Sequence, residues 1–297
     1  MEKTINLKLN FLVQTIIVFL FMSFLSLATA NSMITGKVVY TSEPIQSVYV
    51  PLPESPGPPY KPAQIDIFQF LVSFLLATLL MLFFLNVFKG KLLFEVLFSG
   101  AVIFGSQGPL GIIFNKFDAF LLSFAIVIFR FSYSRIWTQN LAIIIAISGI
   151  AASLGLSAKP LMALLILVLL SIYDIIAVYK TRHMVKLFKG MAKRGAVLAL
   201  VVPKSFFLWF GRFEDINEKN KDEFVFLGTG DLVLPLFFAV SAFSLGVQFS
   251  LGIILGAAMG LTVDHIIFMN QKTRKPIPAL PAITLFSILG YVLVYCF

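Results

Sequence analysis

An all-α polytopic membrane protein with nine transmembrane helices, its N-terminus cytoplasmic and its C-terminus outside, is the fold class this sequence predicts. Three observations carry it. Of the 297 residues, 59% are hydrophobic and only 12% charged, where soluble domains carry roughly a quarter charged residues. Mostly apolar runs of about 20 residues, the length a helix needs to cross the hydrocarbon core, recur nine times. The Lys and Arg residues between those runs fall preferentially on one side.

The runs lie near 9–30, 67–88, 92–114, 117–135, 139–158, 161–179, 225–247, 250–270 and 278–296. The first follows Lys3 and Lys8 and ends in Ala28-Thr29-Ala30, so it also reads as a cleavable signal peptide, although its apolar run is long for one. Cleavage would leave eight spans in the same orientation. The fourth run contains Arg130, which it can keep if the side chain snorkels to the near interface. With the N-terminus inside, 19 of the 23 Lys and Arg residues fall on inside segments and four outside. This asymmetry sets the orientation.

Two long connections divide the chain. The outer one, 31–66, contains "VPLPESPGPPYKP" and reads as an extended, solvated, Pro-rich loop. The inner one, 180–224, begins very basic, turns apolar and β-branched over 196–210, and ends acidic. It separates a six-helix part, 1–179, from a three-helix part, 225–297.

The formal net charge of +9 fits basic loops against an anionic membrane face better than a nucleic-acid partner. The one cysteine, Cys296, excludes an internal disulfide framework and a thiolate cluster. His183 and His265 lack partners at ligand spacing. No metal and no cofactor is expected.

Three acids lie inside apolar runs: Asp174, Asp231 and Asp264. Intramembrane acids are rare and usually functional. Asp174 precedes the exit at Lys180 by six residues, and Asp231 follows the entry at Val225 by six. At about 1.5 Å per residue both sit about 9 Å from the cytoplasmic face. Two carboxylates facing each other in low dielectric share a proton. Such a pair can activate a water with one group and protonate a carbonyl oxygen with the other. Asp264 reads as a structural polar contact or a modulator of the pair.

The backbone around the acids is unusual. Gly228 and Gly230 allow close approach of another chain. Pro235 deprives the Asp231 carbonyl of its intrahelical donor. Pro276, Pro278 and Pro281 delay the ninth helix, so Pro278-Ala279-Leu280 should be extended on the same membrane side as the acids. Extended backbone at membrane depth needs protein or a water cavity to receive it.

Together, Tyr173-Asp174, Gly228-Thr229-Gly230-Asp231 and Pro278-Ala279-Leu280 resemble the YD, GxGD and PAL motifs of the presenilin and signal peptide peptidase family of GxGD intramembrane aspartyl proteases. "YDIIAVYK" and "LALVVPKS" resemble the family's sixth span and the segment before its seventh. Thr229 stands where leucine is more usual.

The resemblance implies an Asp174/Asp231 catalytic dyad. It implies subsite roles for Tyr173, Gly228, Thr229 and Gly230, and substrate placement by Pro278, Ala279 and Leu280. The substrates would be transmembrane peptides within the lipid bilayer of the cell membrane, unwound near the cut. The unwound piece can pair as a strand, with the segment 197–202 expected to supply part of the edge. The inferred orientation matches presenilins and predicts substrates whose N-terminus lies outside. The compact chain resembles a prokaryotic or archaeal presenilin homologue, expected to work without obligatory subunits and leaving a homo-oligomer open. Other readings of the acids are a proton- or ion-coupled transporter, for which no internal repeat is visible, and a prepilin-type GxGD peptidase, which lacks the PAL element. A catalytically silent membrane scaffold would not need the intact acids Asp174 and Asp231.

Overall fold

The computed structural model of the chain describes residues 2–36, 92–180, 199–212, 215–216, 223–271 and 276–297, with isolated positions between 68 and 80. The Pro-rich loop, most of the second expected span and the basic start of the inner connection, with His183, lie outside the described residues.

Among the described residues, eight α-helices follow the expected spans. They are α1 (Glu2–Ile34), α2 (Leu92–Leu110), α3 (Lys116–Ser132), α4 (Ile136–Leu156), α5 (Pro160–Ile175), α6 (Thr229–Ser241), α7 (Val247–Met269) and α8 (Leu280–Cys296). Four stretches are long and apolar enough alone to cross a membrane: Leu9–Ile34, Ile136–Leu156, Pro160–Lys180 and Val247–Met269. Local chemistry sets several ends. Asn115 caps α3 by accepting from the Asp118 amide at 2.9 Å. Pro160 opens α5, where its missing N–H costs nothing. Gly246, at φ 135°, makes the reversal between α6 and α7.

Helix α4 is central. It packs against α1, α2 and α6, and its buried face includes Thr138, Gln139, Asn140 and Ser148. Polar ties join it to α1, which runs unbroken through Ala28-Thr29-Ala30. Ser26 Oγ donates to the Ser148 carbonyl at 3.0 Å, and Ser148 Oγ to the Met22 carbonyl at 3.2 Å. Buried hydroxyl groups in hydrocarbon need such partners.

Glycines bring helices into backbone contact. A β-carbon on Gly149 of α4 would lie 1.8 Å from the Gly105 carbonyl oxygen of α2. Between α7 and α8, β-carbons on Gly252, Gly256 and Gly260 would lie 2.6 Å or less from α8 backbone atoms at Gly290, Phe286 and Ile283. That row is the small-residue seam of membrane helix pairs.

Two expectations need correction. Arg130 does not snorkel: it is buried, with 5% of its surface exposed. Its Nε donates to Gln139 Oε1, its Nη1 to Ser134 Oγ at 3.3 Å, and it stacks near Phe98 and Phe131. Protein acceptors and ring faces replace water there. The seventh span does not begin as a helix at Val225. Phe224–Gly228 is a strand, β2, antiparallel to β1 (Ala199–Pro203), with Val201 opposite Phe226 and Ala199 opposite Gly228. The aromatic and β-branched residues of both segments favour that pairing, and α6 starts only at Thr229.

Candidate active site

Asp174 lies in the last turn of α5, where the helix widens into a π-turn over Ile176–Lys180. Such turns recur at functional sites. The carboxyl is buried, with 5% exposure. Its Oδ2 accepts the backbone N–H of Leu280 at 3.3 Å, across 106 residues of sequence. Leu280 opens α8, and Pro281, the next residue, has no N–H to offer. The Leu280 amide is therefore the first donor at the positive end of α8, and it faces an acid.

The Pro-Ala-Leu segment differs from its expected shape. Residues 276–279 have no regular structure, but Ala279 already has φ −87° and ψ −31°. The backbone therefore turns into the helix sooner than an extended 278–280 would allow, and the Leu280 amide aims at Asp174. Leu280 is buried, while Pro278 and Ala279 are half-buried.

Asp231 is the third residue of α6, with Gly228 at the N-cap. It therefore sits in the first turn, and not six helical residues below the entry as the sequence implied. The side chain folds back over Gly228: a β-carbon there would lie 2.9 Å from Asp231 Oδ2. An acid at this position complements the exposed amides of a helix start. Gly230 is exposed and has open space where a β-carbon would go. Pro235 lies within α6, so the Asp231 carbonyl lacks its usual i+4 donor. Thr229 is half-buried. Tyr173 points to the exposed side of α5, away from the face that buries Asp174.

Asp174 and Asp231 are near enough for the charge of one to act on the other. Asp264 joins them, because its carboxyl feels both. It is buried, with 8% exposure, and its Oδ2 has no hydrogen-bond partner among the described residues. Asp264 continues the i+4 row of Gly252, Gly256 and Gly260, on the face of α7 that packs against α8. Adjacent His265 turns instead to Phe11 of α1, with ring centroids 6.4 Å apart.

The hairpin reaches the same place. β2 runs directly into Gly228 and Asp231. The other edge of β1 is occupied by Asn140 of α4, whose Nδ2 donates to the Val201 carbonyl at 2.6 Å and whose Oδ1 accepts the Val201 N–H at 2.9 Å. Within the expected 197–202 edge, the outward backbone groups of Val201 are thus taken by Asn140, and residues 197 and 198 lie outside the described residues. Sequence reasoning missed Asn140. A polar residue at the start of an apolar run was the available signal. A shallow apolar cleft lined by Leu92, Val96, Ile103 and Phe131 opens elsewhere, and none of the three acids lines it. Among the described residues no three His, Cys, Asp or Glu side chains converge as a metal site requires.

A family model described as signal-peptide peptidase, presenilin aspartyl protease matches residues 42–297. No curated protein sequence matches the chain. Among solved structures, a presenilin family intramembrane aspartate protease in space group C222 aligns with TM-score 0.61 and 22% identity, covering 96% of this chain and 98% of that one. The same description in space group P2 aligns with TM-score 0.59 and 21% identity, over 95% and 96%.

Proposed function

From the premise that the chain belongs to the signal-peptide peptidase and presenilin aspartyl protease family, and is thus an intramembrane aspartyl protease, we propose that Asp174 and Asp231 are its catalytic pair. The observation that carries this is the bond from the Leu280 amide to Asp174. It draws the YD and PAL motifs to one point, at an Asp174 whose charge reaches Asp231. With one proton between them, the ionised carboxyl takes a proton from a water molecule. The water oxygen bonds to the scissile carbonyl carbon while the protonated carboxyl gives its proton to the carbonyl oxygen. Collapse of the resulting diol breaks the C–N bond, and the amine leaves with a proton returned by the pair.

Substrate positioning belongs to the surrounding backbone. Gly230 leaves room for a peptide to approach Asp231, with Gly228 and Thr229 beside it. Pro278, Ala279 and Leu280 border Asp174, and exposed Tyr173 marks the side from which a helix could enter from lipid. An unwound substrate stretch pairs as a strand along β2, the strand that ends at the acid. The bilayer is crossed nine times with the N-terminus inside and the C-terminus outside, in the cell membrane, and the chain acts without obligatory subunits.

The test is cleavage of a single-span substrate by the purified protein in liposomes. Asp174→Ala and Asp231→Ala should each abolish cleavage with the fold intact. Persistent cleavage in both would remove the dyad assignment.

A further inference from the structure

Asn140 is fully buried, 61 residues from Val201 in sequence, and takes both backbone groups of Val201 at 2.6 and 2.9 Å. In an antiparallel strand the N–H and C=O of one residue point to the same side, and successive residues alternate. Val201 therefore turns both groups away from β2, while Leu200 and Val202 turn theirs towards it. The register puts Phe226 opposite Val201. Phe226 and Gly228, at the same phase of β2, must turn their backbone groups away from β1, on the side leading to Asp231.

The side-chain amide of Asn140 thus substitutes for a third strand. It offers an N–H donor and a carbonyl acceptor at the spacing a neighbouring backbone would present. It closes one edge of the hairpin, and it fastens that hairpin at one residue to the central helix α4. Val201 and Phe224 also pack with Ile136 as apolar surface, and the chain beyond β1 returns to the start of α4 through the bond from the Ile136 amide to the Gly211 carbonyl at 3.1 Å, but Asn140 is the tie that grips β1 itself by directed bonds. A strand advances about 3.3 Å per residue, so a slide of that size moves a paired substrate by one peptide bond relative to the acids.

We propose that Asn140 is a specificity-determining residue: by holding Val201 it fixes the height of the β1–β2 hairpin against α4, and so selects which peptide bond of a paired substrate lies at the acids. This rests on the reading that β2 receives the substrate.

The experiment is mass spectrometry of the products from a single-span substrate cleaved in liposomes. Asn140→Leu fills the space and removes both bonds. Asn140→Gln keeps both groups on a stem one methylene longer. For Asn140→Leu the expected result is a spread of product ends over two or more adjacent bonds, with total cleavage reduced about fivefold. For Asn140→Gln it is a shift of the main cut. Product ends identical to wild type in the folded variants, at whatever rate, would overturn the proposal and leave Asn140 a purely structural tie. If Asn140→Leu does not fold, the product ends of Asn140→Gln decide. Phe226→Pro separates the premise: it removes an amide on the substrate side of β2 and none of the bonds to β1. Wild-type cleavage by Phe226→Pro would refute pairing at β2. Its loss, with unchanged product ends in the Asn140 variants, would refute only the role of Asn140.

Discussion

At Gly228 the absent β-carbon matters to the candidate site, because it would lie 2.9 Å from Asp231 Oδ2. An added methyl meets the far end of a flexible side chain, so the fold should tolerate it, but that end is a carboxyl oxygen of the proposed catalytic pair. Gly228→Ala is expected to leave the melting temperature within a few degrees and to lower kcat about a hundredfold, the scale of a misplacement near 1 Å. Gly230→Ala meets nothing. It should fold normally, and a rise in KM would identify Gly230 as a point of substrate contact. Asp264 poses the opposite case. A buried polar atom without a partner costs about 1–3 kcal/mol, and Asp264 Oδ2 is such an atom among the described residues. Asp264→Leu should therefore raise the melting temperature while slowing cleavage, since stability and activity conflict at sites that keep such groups. A lower melting temperature would show instead that the carboxyl holds the fold together. The sequence made Asp264 visible as an intramembrane acid. It did not show the orphaned oxygen, because a partner's absence depends on every helix packed around it.

Helix pairs show what residue types can and cannot announce. Gly252, Gly256, Gly260 and Gly290 were plain in the sequence, yet only the α7–α8 contact gives them work. Each lets the backbones of α7 and α8 touch, in the helix pair whose α8 member begins at Leu280. Gly256→Leu is expected to destabilise by about 3 kcal/mol or more, since even a β-carbon there would lie 2.1 Å from the Phe286 carbonyl oxygen. Cleavage should fall with it, because α8 also carries the Leu280 amide that bonds Asp174. Thermal unfolding and an activity assay on one preparation check both. The strand pair was half legible. Its β-branched composition over 196–210 predicted extended structure, but the partner strand was read as the start of a helix. Residues 224–228 are aromatic and apolar, which suits either a span or a strand. The choice fell to pairing with Ala199–Pro203.

Over the whole molecule, orientation and proton sharing are the properties to measure. If the C-terminus is outside, exposed Cys296, the single thiol, should react with a membrane-impermeant maleimide added to intact cells; labelling only after lysis would reverse the topology. A pair that works with one proton loses activity in acid, when both carboxyls are protonated, and in alkali, when both are ionised. The pH–rate profile should be a bell, and a rate still climbing at high pH would contradict the shared proton. The sequence by itself determined the membrane class, the identity of the acids and the motifs around them. Those follow from composition, run length and local backbone chemistry, which a chain carries wherever it folds. The tertiary structure alone decided that the Leu280 amide meets Asp174 across 106 residues, that Asn140 closes the edge of β1, and that Asp231 belongs to a first helical turn. These depend on which distant donors, acceptors and bare backbones come within reach. In a low-dielectric interior, where a polar group left unpaired is expensive, that reach is settled only when all the helices have packed.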